Sequence, residues 1–188
     1  MNAAIDISGI TLKTERLTLR PWRQEDLDDF YAYASVDGVG QMAGWLPHES
    51  KEVTQTILGS FITHKKTFAL EYQGKVIGSL GIENYKEDEF PELDMLRGRS
   101  IGYVLSKDFW GQGLMPEAVK AVLHYLFEKK GFDFLVISHY DFNRQSRRVI
   151  EKCGFQYLKT IRLQTRYNTT ENTLVYLLKK EDWEHAQT

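Results

Sequence analysis

The order of elements in the second half of the chain constrains its fold most. Residues 101–140 read as an apolar strand, a turn with two glycines, an amphipathic helix and a second apolar strand. Two strands joined by a crossover helix lie parallel in a sheet, and the connection is right-handed. The chain therefore needs a central parallel pair of strands with the connecting helix packed on the sheet.

The segments on either side of this step have an antiparallel pattern. In "FALEYQGKVIGSLGIENY" two alternating apolar runs flank Gln73-Gly74, where glycine supplies the positive φ of a tight hairpin turn. An opening strand "TERLTLRPW" precedes two helices, and Ser50 can cap the second, residues 51–64. We predict an α/β (α+β) fold: a mixed, mostly antiparallel sheet of about seven strands, with a central parallel strand-helix-strand step and helices on both faces.

Composition bounds the organisation of the chain. A length of 188 residues with 42% hydrophobic content predicts one domain, residues 1–188. The formal net charge of −2 provides no basic field for nucleic acid or anionic membrane. Because "MNAAIDISGI" has no signal-peptide pattern and no apolar run approaches membrane-span length, we expect a cytoplasmic protein. Both ends of the chain are expected to be frayed.

The histidines and the single cysteine indicate neither a metal site nor a cysteine nucleophile. The five histidines are scattered without an HxxxH or HxH pair, so no metal site is expected. The lone Cys153 cannot form an internal disulfide. Its place in "VIEKCGF", on the apolar side of a short helix, predicts a buried packing thiol rather than a nucleophile.

The glycine turn "FWGQGLMPEA" is a candidate anion site. Pro116 suits the first turn of a helix, whose free N–H groups lie at the positive end of the helix dipole. Glycine in a tight strand-to-helix turn for steric reasons alone is the alternative. No lysine followed by serine or threonine is present, and the third glycine of a dinucleotide fingerprint is missing. A pyrophosphate held by backbone N–H groups fits a ligand such as coenzyme A.

Two motifs together carry a family resemblance. "SIGYVLSKDFWGQGLMPEAVKAV", followed after a strand by "NRQSRRVIEKCGF", resembles the GNAT superfamily of acetyl-CoA-dependent N-acetyltransferases. The chain is similar to the branch that acetylates the N-terminal amines of ribosomal proteins, over roughly residues 14–183. The resemblance implies acetyl-CoA as cosubstrate and a primary amine as acceptor.

The resemblance also implies a role for individual residues. Backbone groups of Tyr103, Val104 and Leu105 would pair with the pantetheine arm. Asn143 and Ser146 match positions whose side chains reach the pantetheine and its sulfur. The pyrophosphate would be held by the turn from 110 to 115, which consists of Trp110, Gly111, Gln112, Gly113, Leu114 and Met115.

Two common catalytic side chains of the family are missing. Many relatives have a glutamate base immediately before "IGY", where this chain has Ser100, and a tyrosine acid seven residues after the asparagine, where it has Ile150. An α-amine is already roughly 10 to 17% neutral at about pH 7, whereas a lysine amine is only about 0.04% neutral. The departures therefore favour an α-amine or another low-pKa amine as acceptor.

Other groups are candidates for proton transfer. Ser146 can relay a proton to the sulfur, or it caps a helix over residues 147–153. Glu83 can orient water or the incoming ammonium, or it belongs to a solvated acidic loop, residues 83–94. His139 or Tyr140 can serve as base or acid, the alternative being a structural histidine.

For several further residues the sequence allows two interpretations. Trp45 is either a core plug or a lid over the substrate. Lys107, Arg147 and Arg148 either pair with the outer phosphate of the coenzyme or are solvated. The segment 164–172 and the acidic loop are expected to help select the acceptor.

The function expected from the sequence is acetyl transfer to a primary amine by direct attack in a ternary complex, because no cysteine is placed for a covalent intermediate. An acetyltransferase of small amines (polyamine, amino acid or antibiotic) is the alternative within this class. A coenzyme A binding module without turnover and a structural domain without coenzyme are the others. The identity of the acceptor and a homodimeric state are left open.

Overall fold

A computed structural model describes residues 1–187. Within these residues one mixed sheet contains eight strands in the order β1-β2-β3-β4-β5-β6-β8-β7. β5 and β6 are parallel, and every other neighbouring pair is antiparallel. The predicted architecture is confirmed, and the strand beyond the predicted seven is the two-residue β1. The strands are β1 Leu12–Lys13, β2 Leu17–Pro21, β3 Thr67–Tyr72, β4 Lys75–Glu83, β5 Gly98–Leu105, β6 Phe134–Tyr140, β7 Gln156–Gln164 and β8 Thr170–Lys179.

Helices cover both faces of the sheet, as predicted. α1 and α2 bury a cluster that includes Phe30, Leu58 and Ala69 of β3. The neighbouring residue Phe68 points to the opposite face and joins the cluster beneath α3. The helices are α1 Leu27–Ala34, α2 Lys51–His64, α3 Leu114–His124 with a π-helical continuation Tyr125–Lys129, α4 Arg144–Lys152 and α5 Lys180–His185.

Two local predictions are confirmed, one by backbone angles and one by a side-chain hydrogen bond. Gln73 and Gly74 join β3 to β4 with φ of 50° and 80°, the left-handed values that a type I′ hairpin turn requires. Ser50 precedes α2, and its hydroxyl accepts a hydrogen bond from Val53 N–H at 3.5 Å. Both features depend only on neighbours in sequence.

The predicted fraying of the N-terminus is wrong. Ala3 and Ile7 are only 3% and 1% exposed and belong to the core beneath α3. Their N–H groups donate to the carbonyl oxygens of Gly98 and Lys65 at 3.1 and 2.9 Å. The apolar side chains of this segment pin it to the protein. At the other end α5 extends to His185, and Thr188 lies outside the described residues.

The acidic segment is also more ordered than predicted. It contains two 3₁₀ turns, Glu87–Glu89 and Pro91–Leu93. Tyr85, Phe90 and Leu93 are buried against β6 and β8. The expectation of a solvated loop is therefore wrong for its apolar residues, which cover the sheet while most of its carboxylates face solvent.

A gap opens between the two parallel strands. Their pairing runs from Gly98 opposite Phe134 to Ile101 opposite Ile137 and stops there. β5 continues along β4 to Leu105, and β6 continues along β8 to Tyr140. The carboxyl ends of β5 and β6 are therefore unpaired with each other, and the crevice at such ends is where ligands bind in α/β sheets. Within residues 1–187 no helix is both long and apolar enough to span a membrane.

Candidate active site

A cavity of about 510 Å³ occupies the gap between β5 and β6. Its walls come from the two strands, the glycine turn and start of α3, one side of α4, and the connection between α1 and α2. The volume lies in the usual range for small-molecule sites. All predicted cofactor and catalytic residues line it except Gln112.

The glycine turn has the conformation of an anion site. Gly111 and Gly113 both adopt a φ of 78°, a left-handed value that would strain any residue with a Cβ. The N–H groups of residues 111–115 donate to no acceptor within residues 1–187. Successive free N–H groups at the positive end of a helix attract phosphate. These donors fit the diphosphate of coenzyme A.

The free edge of β5 lies next to this turn. Tyr103, Val104 and Leu105 pair with β4 on one side, and no strand of the described residues pairs with them on the other. An extended pantetheine arm can take the place of the missing strand. The Leu105 carbonyl accepts a hydrogen bond from Trp110 Nε1 at 2.8 Å, so the indole is fixed at the start of the turn.

Asn143, not Ser146, caps α4. The helix begins at Arg144, three residues before the predicted start, and Asn143 Oδ1 accepts from Ser146 N–H at 3.0 Å. The prediction that Ser146 caps a helix over residues 147–153 is therefore wrong. Asn143 Nδ2 donates to the Met42 carbonyl at 3.1 Å, so both polar atoms of this side chain are engaged within the protein.

Ser146 instead contacts Tyr103 at the wall of the cavity. The two hydroxyl oxygens lie 2.9 Å apart, and Tyr103 is also 3.2 Å from the Ser146 carbonyl. Burial raises the pKa of Tyr103, although the hydrogen bond to Ser146 opposes this shift. The phenol is therefore neutral, and its O–H can donate to the Ser146 carbonyl oxygen, whereas either hydroxyl can be the donor in the contact between the two hydroxyl groups.

Glu83 lies directly across the β4–β5 pair from Ser100. Opposite residues of an antiparallel pair share one face, with Cβ atoms about 4.5 to 5.5 Å apart. Both residues line the cavity, and Glu83 forms an ion pair with Lys66. A carboxylate is therefore present beside position 100, supplied by the neighbouring strand.

His139 has the contacts of a structural histidine. It is buried, Nδ1 lies 2.8 Å from the Tyr140 carbonyl oxygen, and Nε2 lies 3.2 Å from the Tyr176 hydroxyl. Since a carbonyl oxygen only accepts, Nδ1 carries the proton and Nε2 accepts from Tyr176. Burial raises the pKa of Tyr140, which also lines the cavity.

Cys153 and Ile150 take no part in the cavity chemistry. Burial raises the pKa of the Cys153 thiol to about 11, and the side chain is packed in the core as predicted. Ile150 is fully buried in the same core. Among residues 1–187 no group of histidine, cysteine and carboxylate side chains is arranged to hold a metal ion.

The connection between α1 and α2 closes one side of the cavity through Val39, Met42 and Ala43 rather than through Trp45. Arg166 N–H donates to the Gly44 carbonyl at 2.9 Å, and the Tyr167 hydroxyl contacts the Gln41 carbonyl at 3.3 Å. The turn between β7 and β8 thus holds this connection. Trp45 packs on the α1 and α2 cluster and is a core plug. The cavity is also lined by residues to which the sequence analysis assigned no role, among them Val39, Met42, Ala43, Ser138, Leu163 and Thr173.

The basic candidates separate into two groups. Arg148 lines the cavity, together with Lys152 one turn further along α4. Arg147 pairs with Glu151 at 2.8 Å and is not part of the lining. Lys107 lies 6.0 Å from the centre of the Trp110 ring and is also outside it.

Comparison with known proteins decides the family. The model described as "Acetyltransferase (GNAT) domain" matches residues 16–156. The chain belongs to the GNAT acetyltransferase family. An uncharacterised N-acetyltransferase of Bacillus subtilis, YoaA, is 29% identical over 177 residues, which cover 90% of this chain and 96% of that protein.

Two further comparisons give a relative in sequence and a relative in fold. The putative ribosomal N-acetyltransferase YdaF of Bacillus subtilis is 31% identical over 117 residues, covering 61% of this chain and 60% of that protein. The microcin C7 self-immunity acetyltransferase MccE, solved with acetyl-CoA and AMP, shares the fold with a TM-score of 0.72 at 15% identity, covering 88% of this chain and 93% of that one. The GNAT chain described here is an N-acetyltransferase enzyme whose acetyl donor is acetyl-CoA.

Proposed function

We propose that this GNAT enzyme acetylates the α-amine at the N-terminus of a protein, by direct attack in a ternary complex. We also propose that residues 1–188 form one acetyltransferase domain and that it works in the cytoplasm. The similarity to a putative ribosomal N-acetyltransferase supports the choice of acceptor.

The distribution of charge along the cavity carries the proposal. Glu83 is the only carboxylate among the described lining residues, and it lies beside Ser100 on the β4 side. Arg148 and Lys152 lie on α4, where the adjacent Cys153 contacts the Pro116 carbonyl of α3. An anionic donor at the glycine turn and a cationic amine near Glu83 fit this polarity.

Acetyl-CoA supplies the acetyl group as a thioester, and its thiol is released on transfer. Glu83 accepts the proton of the incoming ammonium, directly or through one water molecule. Ser146 donates a hydrogen bond at the sulfur, and the contact between the Tyr103 and Ser146 hydroxyl groups holds the Ser146 side chain in place. His139 supports the end of β6. An α-amine suits this arrangement because part of it is already neutral near pH 7.

Thiol release from acetyl-CoA tests the proposal. A peptide with a free α-amine should be turned over, whereas the same peptide with a blocked N-terminus and a free lysine should not. The rate should rise with pH towards about 8, where an α-amine loses its proton. Turnover of polyamines, amino acids or antibiotics alone would assign the enzyme to small amines. Binding of CoA without turnover of any amine would show a binding module.

A further inference from the structure

Arg16 contacts the glycine turn from a distant part of the chain. It lies between β1 and β2, and Nη1 donates to the Gln112 carbonyl at 2.9 Å. Nε and Nη2 lie 2.8 and 2.7 Å from Glu117 Oε2, and the Arg16 N–H donates to Glu117 Oε1 at 2.8 Å. One residue therefore joins the middle of the turn to the first part of α3.

The guanidinium also packs on the turn itself. A Cβ at Gly113 would lie 3.6 Å from Arg16 Nη2. Planar guanidinium groups suit such a site, since their fixed donors bind a carbonyl and a carboxylate together. Arg16 thereby holds the backbone between 112 and 117 without lining the cavity, while the N–H groups of residues 111–115 have no acceptor in the part of the chain that the structure describes.

Arg16 neutralises the negative charge that Glu117 places near the glycine turn. The Glu117 carboxylate lies on α3, the helix whose first N–H groups fit the diphosphate. Burial alone would raise the pKa of Glu117, but hydrogen bonds from Thr14 and Arg16 hold it below its ordinary value, so the group is ionised. An unpaired carboxylate here would repel an anionic ligand.

We propose that Arg16 is a positioning residue for acetyl-CoA, which fixes the glycine turn through Gln112 and cancels the charge of Glu117. The inference rests on the acetyl-CoA site of the proposed function. It predicts that Arg16 acts on the diphosphate part of the donor and not on the reacting thioester.

Binding of CoA and turnover of two donors test this role. Arg16→Ala should weaken CoA binding about tenfold, as expected for loss of charge-assisted hydrogen bonds. It should leave kcat/KM for S-acetylpantetheine, which lacks the diphosphate, unchanged. Adding Glu117→Gln to Arg16→Ala should recover part of the loss, because the repulsive charge is removed. Arg97→Ala removes the same charge from an exposed arginine before β5 and should leave CoA binding unchanged.

The outcomes separate the inference from the proposed function. Wild-type protein that fails to bind CoA would overturn both. Normal CoA binding by Arg16→Ala, or an equal loss with both donors, would overturn the inference alone. If Arg16→Ala does not fold, Arg16→Lys carries the test: it keeps the charge but cannot contact both partners, so CoA binding should weaken while S-acetylpantetheine turnover does not.

Discussion

Asn143 offers a substitution that separates two roles of one side chain. The residue is 8% exposed, Oδ1 caps α4 through Ser146 N–H, and Nδ2 holds the Met42 carbonyl. Serine at position 143 caps a helix about as well as asparagine but is too short to contact Met42. Alanine does neither. The pair Asn143→Ser and Asn143→Ala therefore isolates the cap from the contact with the α1–α2 connection.

The expected losses follow from these contacts. Removing the bond to Met42 costs about 1 kcal/mol in both variants. Losing the cap costs Asn143→Ala about 1 kcal/mol more. For a chain of this size each kcal/mol lowers Tm by roughly 2 to 4 °C. We therefore expect Asn143→Ser to lose about half as much stability as Asn143→Ala.

Urea unfolding and steady-state kinetics measure the two roles separately. Both variants should raise KM for the amine, since Met42 lines the cavity, with a smaller effect on KM for acetyl-CoA. Equal stability of the two variants would refute the capping argument. A raised KM for acetyl-CoA with that of the amine unchanged would show that the Asn143 amide contacts the pantetheine arm, as the family resemblance implies.

Three further predictions concern other parts of the structure. Glu83→Gln should lower kcat/KM for the amine by about 10² or more, as loss of a general base does, whereas Glu92→Gln in the exposed acidic segment should have no effect on this rate. Gly40→Ala should destabilise the protein by about 1 to 3 kcal/mol in thermal unfolding, because its Cβ would lie 2.2 Å from the indole of the core plug. Gly59→Ala, where the Cβ meets nothing, should be neutral or stabilising. Hydrogen bonds hold the pKa of Glu117 below its ordinary value in the folded state, so its ionic stabilisation is complete near neutrality and is lost as the pH falls through the folded pKa. The difference in unfolding free energy between wild type and Glu117→Gln should therefore shrink below about pH 4.

A turn and a helix cap whose geometry depends only on residues adjacent in sequence were predicted correctly. The turn at Gln73-Gly74 requires only left-handed conformations at two adjacent residues, and the Ser50 cap requires only the start of an amphipathic helix. α4 shows where this reasoning fails. Its first turn, residues 144–146, is polar and carries no apolar period, so the true cap at Asn143 was missed and Ser146 was chosen instead.

Contacts between distant segments were not predictable from one sequence. The burial of Ile7 beneath α3 depends on where the chain passes after the sheet is assembled. Tyr85 and Phe90 lie among acidic residues, whose charge hides an apolar set that covers β6. Glu83 and Ser100 lie opposite each other across a connection, residues 84–97, that has no periodic pattern from which the register could be read. No local signal indicates any of these three arrangements.

The same limitation changes the meaning of the two missing catalytic residues. A proton carrier is defined by where its atoms lie, and adjacent elements can supply it from different sequence positions. Beside Ser100 the neighbouring strand contributes Glu83, and in place of a tyrosine at Ile150 the hydroxyl of Tyr103 contacts Ser146. Under the proposed function these two contacts supply a base and a hydrogen-bond donor. The departures at 100 and 150 therefore do not argue against turnover, since the groups they lack have counterparts on β4 and β5.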